Sequence, residues 1–184
     1  ENIPKKGPVV VVANHPHGLS DGIMFGELLT RVREDVRILV NEQLSLCGEL
    51  DPWLIKVDVY EDENARRKNL SGMRKMISWL RQGGVLGIFP AGTVSSFSLA
   101  HKRVTDDPWN ANIAAIIRMT KATVVPVYFP GRNSLLFQGI SLINRKARVA
   151  FLPREVGRDG RRTHRIVVGK PIPFSQLGQY DSDE

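Results

Sequence analysis

Cysteine is nearly absent: Cys47 is the single one in 184 residues, which excludes an intrachain disulfide and suits a reducing compartment. Aromatic residues are scarce, at 7%, and do not interleave with the basic ones, so the stacking platforms of a nucleic-acid-binding surface are missing. No apolar run approaches the ~18 residues of a spanning helix, and the N-terminus has no signal-peptide core. There is no Gly-x-Ser-x-Gly elbow, which counts against a serine lipase. Asp58, Asp106 and Asp107 stand at no metal-ligand spacing from the histidines, so no metal is expected. Repeats, low-complexity tracts and linkers are also lacking. Residues 1–184 are therefore expected to form one domain, of a size that buries roughly two-thirds of its unfolded surface.

What is present is ordinary globular composition, 42% hydrophobic and 24% charged, with a net charge of +7. The excess is uneven. Residues 1–92 carry 12 basic and 12 acidic side chains, whereas residues 93–184 carry 14 and 7. Between Arg132 and Lys170 ten basic residues face only Glu155 and Asp159. Such a run is either a plain solvated face or a surface for anionic lipid.

The chain is organised around Val9-Val10-Val11-Val12-Ala13-Asn14-His15-Pro16-His17-Gly18-Leu19-Ser20-Asp21-Gly22. The valines read as a strand buried on both faces. Pro16 stops it, since proline cannot donate to a ladder and biases His15 to an extended backbone. Gly18 and Gly22 permit a tight turn, and from Ile23 the apolar spacing is helical to about Arg33. A strand, a loop with imidazoles and a carboxylate, then a helix is where an open α/β sheet puts its chemistry.

Further strands are predicted at 37–40, 53–57, 85–89, 123–129, 146–152 and 165–168. A long helix with an acidic start at Glu61-Asp62-Glu63 runs to Gly83-Gly84, and another follows Asp107 as cap and Pro108 in its first turn. Residues 93–108 show no periodicity and read as a loop. The fold class is α/β, a mostly parallel central sheet flanked by helices, antiparallel at its far edge.

Three blocks carry a resemblance. Asn14-His15-Pro16-x-Gly18-x-x-Asp21-Gly22, then Phe89-Pro90-Ala91-Gly92-Thr93-Val94-Ser95, then Val125-Pro126-Val127-Tyr128-Phe129 followed by Gly131-Arg132-Asn133-Ser134, stand in order at predicted strand ends. Together they resemble the lysophospholipid acyltransferase (PlsC-like, glycerolphosphate acyltransferase) superfamily. Within it the closest likeness is to the bacterial hemolysin-like branch, which includes ornithine-lipid acyltransferases. The superfamily separates its His and Asp by four residues. Here five lie between His15 and Asp21, as in the hemolysin-like pattern, so His15 is assigned and His17 held in reserve. The superfamily's Glu and Arg in the second block are Ala91 and Val94, which counts against lysophosphatidate and glycerol 3-phosphate as acceptors.

The resemblance implies an O-acyltransferase moving a fatty acyl chain from acyl-CoA or acyl-carrier protein to the hydroxyl of a lysophospholipid or lyso-ornithine lipid. His15 is then the general base and Asp21 its partner. Asn14, Gly18, Arg66, Arg67, Pro90, Gly92, Thr93, Arg132 and Asn133 are the substrate-binding candidates, with Ser95 able to join Thr93 at an anion or head group. No bound cofactor, metal or nucleic acid is expected. The expected partners are a lysolipid, the acyl donor and an anionic membrane, met peripherally at its cytoplasmic face. Such enzymes often carry an N-terminal membrane-binding segment; none is visible in this sequence, which opens mid-phrase at Glu1. Two other readings stay open: a thioester or lipid hydrolase using the same dyad, and a non-catalytic basic module that docks on anionic membrane.

Overall fold

The strand of valines, β1 (Val9–Ala13), lies between two other parallel strands at the centre of the sheet. The chain runs on through α1 (Leu19–Thr30), β2 (Val36–Asn41), β3 (Leu54–Val57), α2 (Glu63–Arg81), β4 (Val85–Ile88), β5 (Ser96–Ser98), β6 (Arg103–Thr105), α3 (Asn112–Thr120), β7 (Thr123–Tyr128), α4 (Leu135–Ile143), α5 (Leu152–Asp159), β8 (Val167–Val168) and α6 (Phe174–Leu177). The computed structural model describes residues 2–41, 48–57, 63–159 and 163–177; at 48–50, 63–69 and 159 it describes the backbone only. The main sheet has the order β3-β2-β4-β1-β7-β8. All its pairings are parallel except β7 with β8, the antiparallel edge expected.

The period of two along β1 explains why no polar residue interrupts it. Val9, Val11 and Ala13 join Phe25 and Leu29 of α1 on one face. Val10 and Val12 join Met76 and Leu80 of α2 and Ile116 of α3 on the other. All five strand residues are buried, so each face needs an apolar side chain. The result is a three-layer sandwich. At its carboxyl-end crest β1, β4 and β7 stop side by side, and the loops that follow them, distant in sequence, meet there.

Several expectations need correction. Residues 146–152 are not a strand but a 3-10 turn, Ala147–Phe151, leading into α5. The buried residues there are Arg148, Leu152 and Glu155, a helical spacing that a short apparent alternation conceals. Asn144 Oδ1 accepts from the amides of Lys146 and Ala147 and starts the turn. The loop at 93–108 contains a small antiparallel ribbon, β5 with β6. Asp107 does not cap α3, which begins at Asn112, because its carboxylate is engaged by Thr93 and Arg145. The helix α4 occupies a stretch in which the sequence pattern predicts no element. Of the tryptophans, Trp79 donates to Val85 O at 3.0 Å with Arg37 over its ring, while Trp53 and Trp109 are half exposed. Cys47, Asp58, the acidic start at 61–62, the pair Arg161 and Arg162, and the tail from 178 lie outside the described residues.

Candidate active site

Asp21 is organised before His15 is. Gly18 turns the chain with φ of 71°, and Asp21 sits in the first turn of α1. Its Oδ2 accepts from the amides of His17 at 2.7 Å and Gly18 at 3.0 Å, and the side chain is fully buried. A carboxylate at a helix N-terminus suits the dipole and satisfies amides that otherwise have no partner. A side chain at Gly18 would meet Leu152 at 2.6 Å, so the turn is tight in space as well as in dihedral.

His15 is brought to that carboxylate from outside the turn. Its Nδ1 lies 3.2 Å from Asp21 Oδ2, and its side chain is 14% exposed. The pair is in contact without hydrogen-bond alignment, and among the described residues Nδ1 has no hydrogen-bond partner. Catalytic hydrogen bonds commonly tighten only when substrate is bound. Phe89, at the end of β4, stacks on the imidazole with centroids 3.9 Å apart and planes at 23°, which sets the ring's plane. The backbone is held on both sides: Ser95 N donates to His15 O at 2.8 Å, and His15 N donates to Asp106 Oδ1 at 3.3 Å.

His17 is directed elsewhere. It is 2% exposed, its Nε2 lies 3.0 Å from Pro130 O, and it meets His164 edge-on at 4.9 Å. A carbonyl can only accept, so Nε2 carries the proton there. Asn14 ties the crest together, donating from Nδ2 to Phe129 O at 2.8 Å and accepting from Phe129 N at 2.7 Å. This pair of bonds joins the end of β1 to the end of β7.

The second block forms a turn, with Gly92 N donating to Phe89 O at 2.9 Å. Gly92 has φ of 66° and open space where a Cβ would stand, whereas Pro90 is buried. The hydroxyls expected to receive an anion are committed to carboxylates: Thr93 donates to Asp107 and Ser95 to Asp106. Asp106 and Asp107 were not named as site residues, yet they link this turn to His15 and to Arg145. Burial, the largest single influence on Asp107, pushes its pKa up. The Thr93 bond, Arg145 and Arg148 together outweigh it and hold the carboxyl below its ordinary value.

Arg148 is a further residue that sequence reasoning missed. It is 4% exposed, its guanidinium stands 5.9 Å from the Phe137 ring centre, and burial and then Arg145 lower its pKa, opposed by Asp107. A lone arginine in an alternating stretch carries no signal of burial; only the helical spacing to Leu152 and Glu155 does. Asn133 is 1% exposed, and neither of its amide atoms is hydrogen-bonded among the described residues. Arg132 is exposed, and its carbonyl accepts from Arg158 at 3.3 Å. Arg66 and Arg67 belong to α2, but their side chains lie outside the description. Surface hollows of about 450 and 500 Å³ lie between α2 and α3 and at the amino ends of the strands, and touch none of these residues.

The fold and the rim together define an α/β protein whose paired imidazole and carboxylate stand at the carboxyl crest of a parallel sheet. The chain belongs to the Acyltransferase family, whose pattern matches residues 1–130. It is similar to the lyso-glycine lipid O-acyltransferases of Bacteroides thetaiotaomicron and Phocaeicola vulgatus, each 29% identical over 182 residues and 95% of this chain. The chain spans 64% and 62% of the length of those two relatives. Its fold is that of the crystal structure of PlsC, the 1-acyl-sn-glycerophosphate acyltransferase from Thermotoga maritima, with TM-score 0.52, 18% identity, and coverage of 98% of this chain and 60% of that one.

Proposed function

We propose that this protein transfers a fatty acyl chain from an acyl-CoA or acyl-carrier-protein thioester to the hydroxyl of a lysolipid. The observation that carries the reading is the approach of His15 Nδ1 to Asp21 Oδ2 at 3.2 Å on a loop between a central strand and a helix. With Nδ1 turned to the carboxylate, Nε2 is the nitrogen left for substrate. It removes the proton from the acceptor hydroxyl as that oxygen attacks the thioester carbonyl. Asp21 stabilises the imidazolium so formed. When the tetrahedral adduct collapses, the C–S bond breaks and the imidazolium returns its proton to the departing thiolate. No nucleophile from the protein enters the balance.

The acceptor is an amino-acid lysolipid with a carboxylate or zwitterionic head: the relatives are named for a lyso-glycine lipid, and a lyso-ornithine lipid is the acceptor that the sequence resemblance implies. The replacement of a superfamily arginine by Val94 supports a head group other than a phosphate monoester. The basic excess of residues 93–184 supports peripheral contact with an anionic membrane, and the lone cysteine supports its cytoplasmic face.

Incubation with a lyso-glycine or lyso-ornithine lipid and acyl-CoA or acyl-carrier protein, read by mass spectrometry, tests the proposal. The O-acylated lipid is expected from the wild type and not from His15→Ala. Release of free fatty acid with no acylated lipid would transfer the same dyad to a hydrolase. Salt-sensitive vesicle binding without consumption of any donor would leave a docking module.

A further inference from the structure

The helix α4 is turned inside out. It reads Leu-Leu-Phe-Gln-Gly-Ile-Ser-Leu-Ile, with no charged residue. A surface helix ordinarily buries its aliphatic stripe and exposes its polar one. In α4 the buried residues are Phe137, Gln138 and Ser141, while Leu135, Leu136, Leu142 and Ile143 are 77%, 47%, 51% and 89% exposed. Those four occupy i, i+1, i+7 and i+8, one face, with exposed Gly139 between them. Single exposed aliphatics need no explanation, but a contiguous stripe of them marks a contact surface.

The orientation is locked. Gln138 Oε1 accepts from Phe97 N at 2.9 Å, and Ser141 Oγ donates to Phe137 O at 2.7 Å. Ser134 caps the helix by accepting from Phe137 N at 3.2 Å, and is itself held by buried Glu155 at 2.6 Å. Rotating the helix to bury its leucines would break the Gln138 bond and the cap and carry the fully buried Phe137 out to solvent.

The charge around the stripe selects the occupant. No acidic residue occurs in the sequence between Asp107 and Glu155, and exposed cations bracket the helix: Arg132 before it and Lys146 after it, with Arg145 beside them paired to Asp107. A second copy of this chain meeting the same face would bring like charges together, as an isologous contact must. An anionic bilayer offers an apolar layer at depth and phosphates at the rim, matching both features at once. The helix also adjoins the rim that carries the dyad. His15 O accepts from Ser95 N, and two residues on, Phe97 N donates to Gln138 of α4.

We infer that α4 is an interfacial helix that beds its leucine and isoleucine face in the boundary layer of an anionic membrane and so presents the His15 loop to lipid at the surface. What the docked site does there rests on the lysolipid reading; the docking does not.

Flotation with vesicles of phosphatidylcholine containing a third phosphatidylglycerol tests this directly. The wild type is expected to bind and to release as salt rises, more than it does from phosphatidylcholine alone. Leu135→Gln with Ile143→Gln is expected to partition on the order of tenfold or more weaker, with unchanged circular dichroism and unchanged turnover of a short-chain, monomeric acceptor. As an independent readout, Leu136→Trp should shift its emission to the blue on adding vesicles. Binding by the double variant within about twofold of wild type would overturn the inference. So would a wild type that ignores vesicles, or a wild-type dimer that the double variant dissolves. Loss of docking in a protein that acylates nothing would sink the enzymatic reading and leave α4's role standing. Retained docking by the double variant beside normal acyl transfer would do the reverse.

Discussion

Replacing Asp21 by asparagine removes one charge from the rim and leaves its shape nearly unchanged. The same oxygen, Oδ2, accepts the His17 and Gly18 amides and faces His15, while Oδ1 is buried with no hydrogen-bond partner among the described residues. An asparagine with its carbonyl at the Oδ2 position keeps all three relations, and its NH2 takes the empty side. Two charge-assisted bonds become neutral ones, a loss of about 1 kcal/mol each, so roughly 2 kcal/mol of stability and a fall of about 4–8 °C in Tm. The catalytic loss is larger. At an effective dielectric near 20, a full imidazolium charge at this separation gains about 5 kcal/mol from the carboxylate. A transition state carrying half or more of that charge forfeits about 2.5–5 kcal/mol, hence kcat falls about 10²–10⁴-fold. Asp21→Ala is the poorer test, since it orphans both amides and unravels the turn. Initial rates at saturating donor and acceptor, beside thermal melts of each variant, decide the matter. A folded Asp21→Asn enzyme within about threefold of wild type would refute the electrostatic reasoning, as would a His17→Ala loss equal to that of His15→Ala.

Asn14→Ala deletes both bonds between the ends of β1 and β7 and is expected to cost about 2 kcal/mol, read as a lower urea midpoint at unchanged slope. Gly131 has φ of 109°, and a Cβ there would stand 2.8 Å from His17 Nε2. Gly131→Ala should therefore lower Tm well beyond Gly92→Ala, whose Cβ meets open space and which incurs only the left-handed cost of about 1 kcal/mol. The pairing of Asp107 with Thr93 and Arg145 holds its folded-state pKa below the ordinary 3.8. Its contribution is full above that value and is lost as pH falls through the lower folded pKa. Acid titration of Asp107→Asn and wild type should accordingly converge in stability below pH 3.8 and diverge above it.

Much of this molecule was legible because its signals are local. Buried on both faces, β1 has to be apolar throughout, and the Asn-His-Pro-x-Gly turn ends it, since proline stops a ladder and Gly18 takes the positive φ at which α1 begins. The parallel pairing of the central strands follows from alternating strands and helices, whereas their order does not. The errors fall where local pattern and tertiary partner conflict. Residues 146–152 alternate over a window too short to separate a period of two from one of 3.6. Asp107 has the chemistry of a helix cap but finds Thr93 and Arg145 first. The helix α4 escaped notice because its polar residues face inward, the opposite of the pattern that announces a surface helix.

The sequence by itself determined the class of fold and set two candidate histidines beside Asp21, because all three are written in one continuous stretch where a strand meets a helix. Only tertiary structure decided which histidine reaches Asp21, that Phe89 flattens against its ring, and that Asp106 holds its backbone. Those relations join loops up to 91 residues apart in the chain. No spacing along a sequence encodes them, because they exist only once parallel strands have brought their carboxyl ends to a common edge.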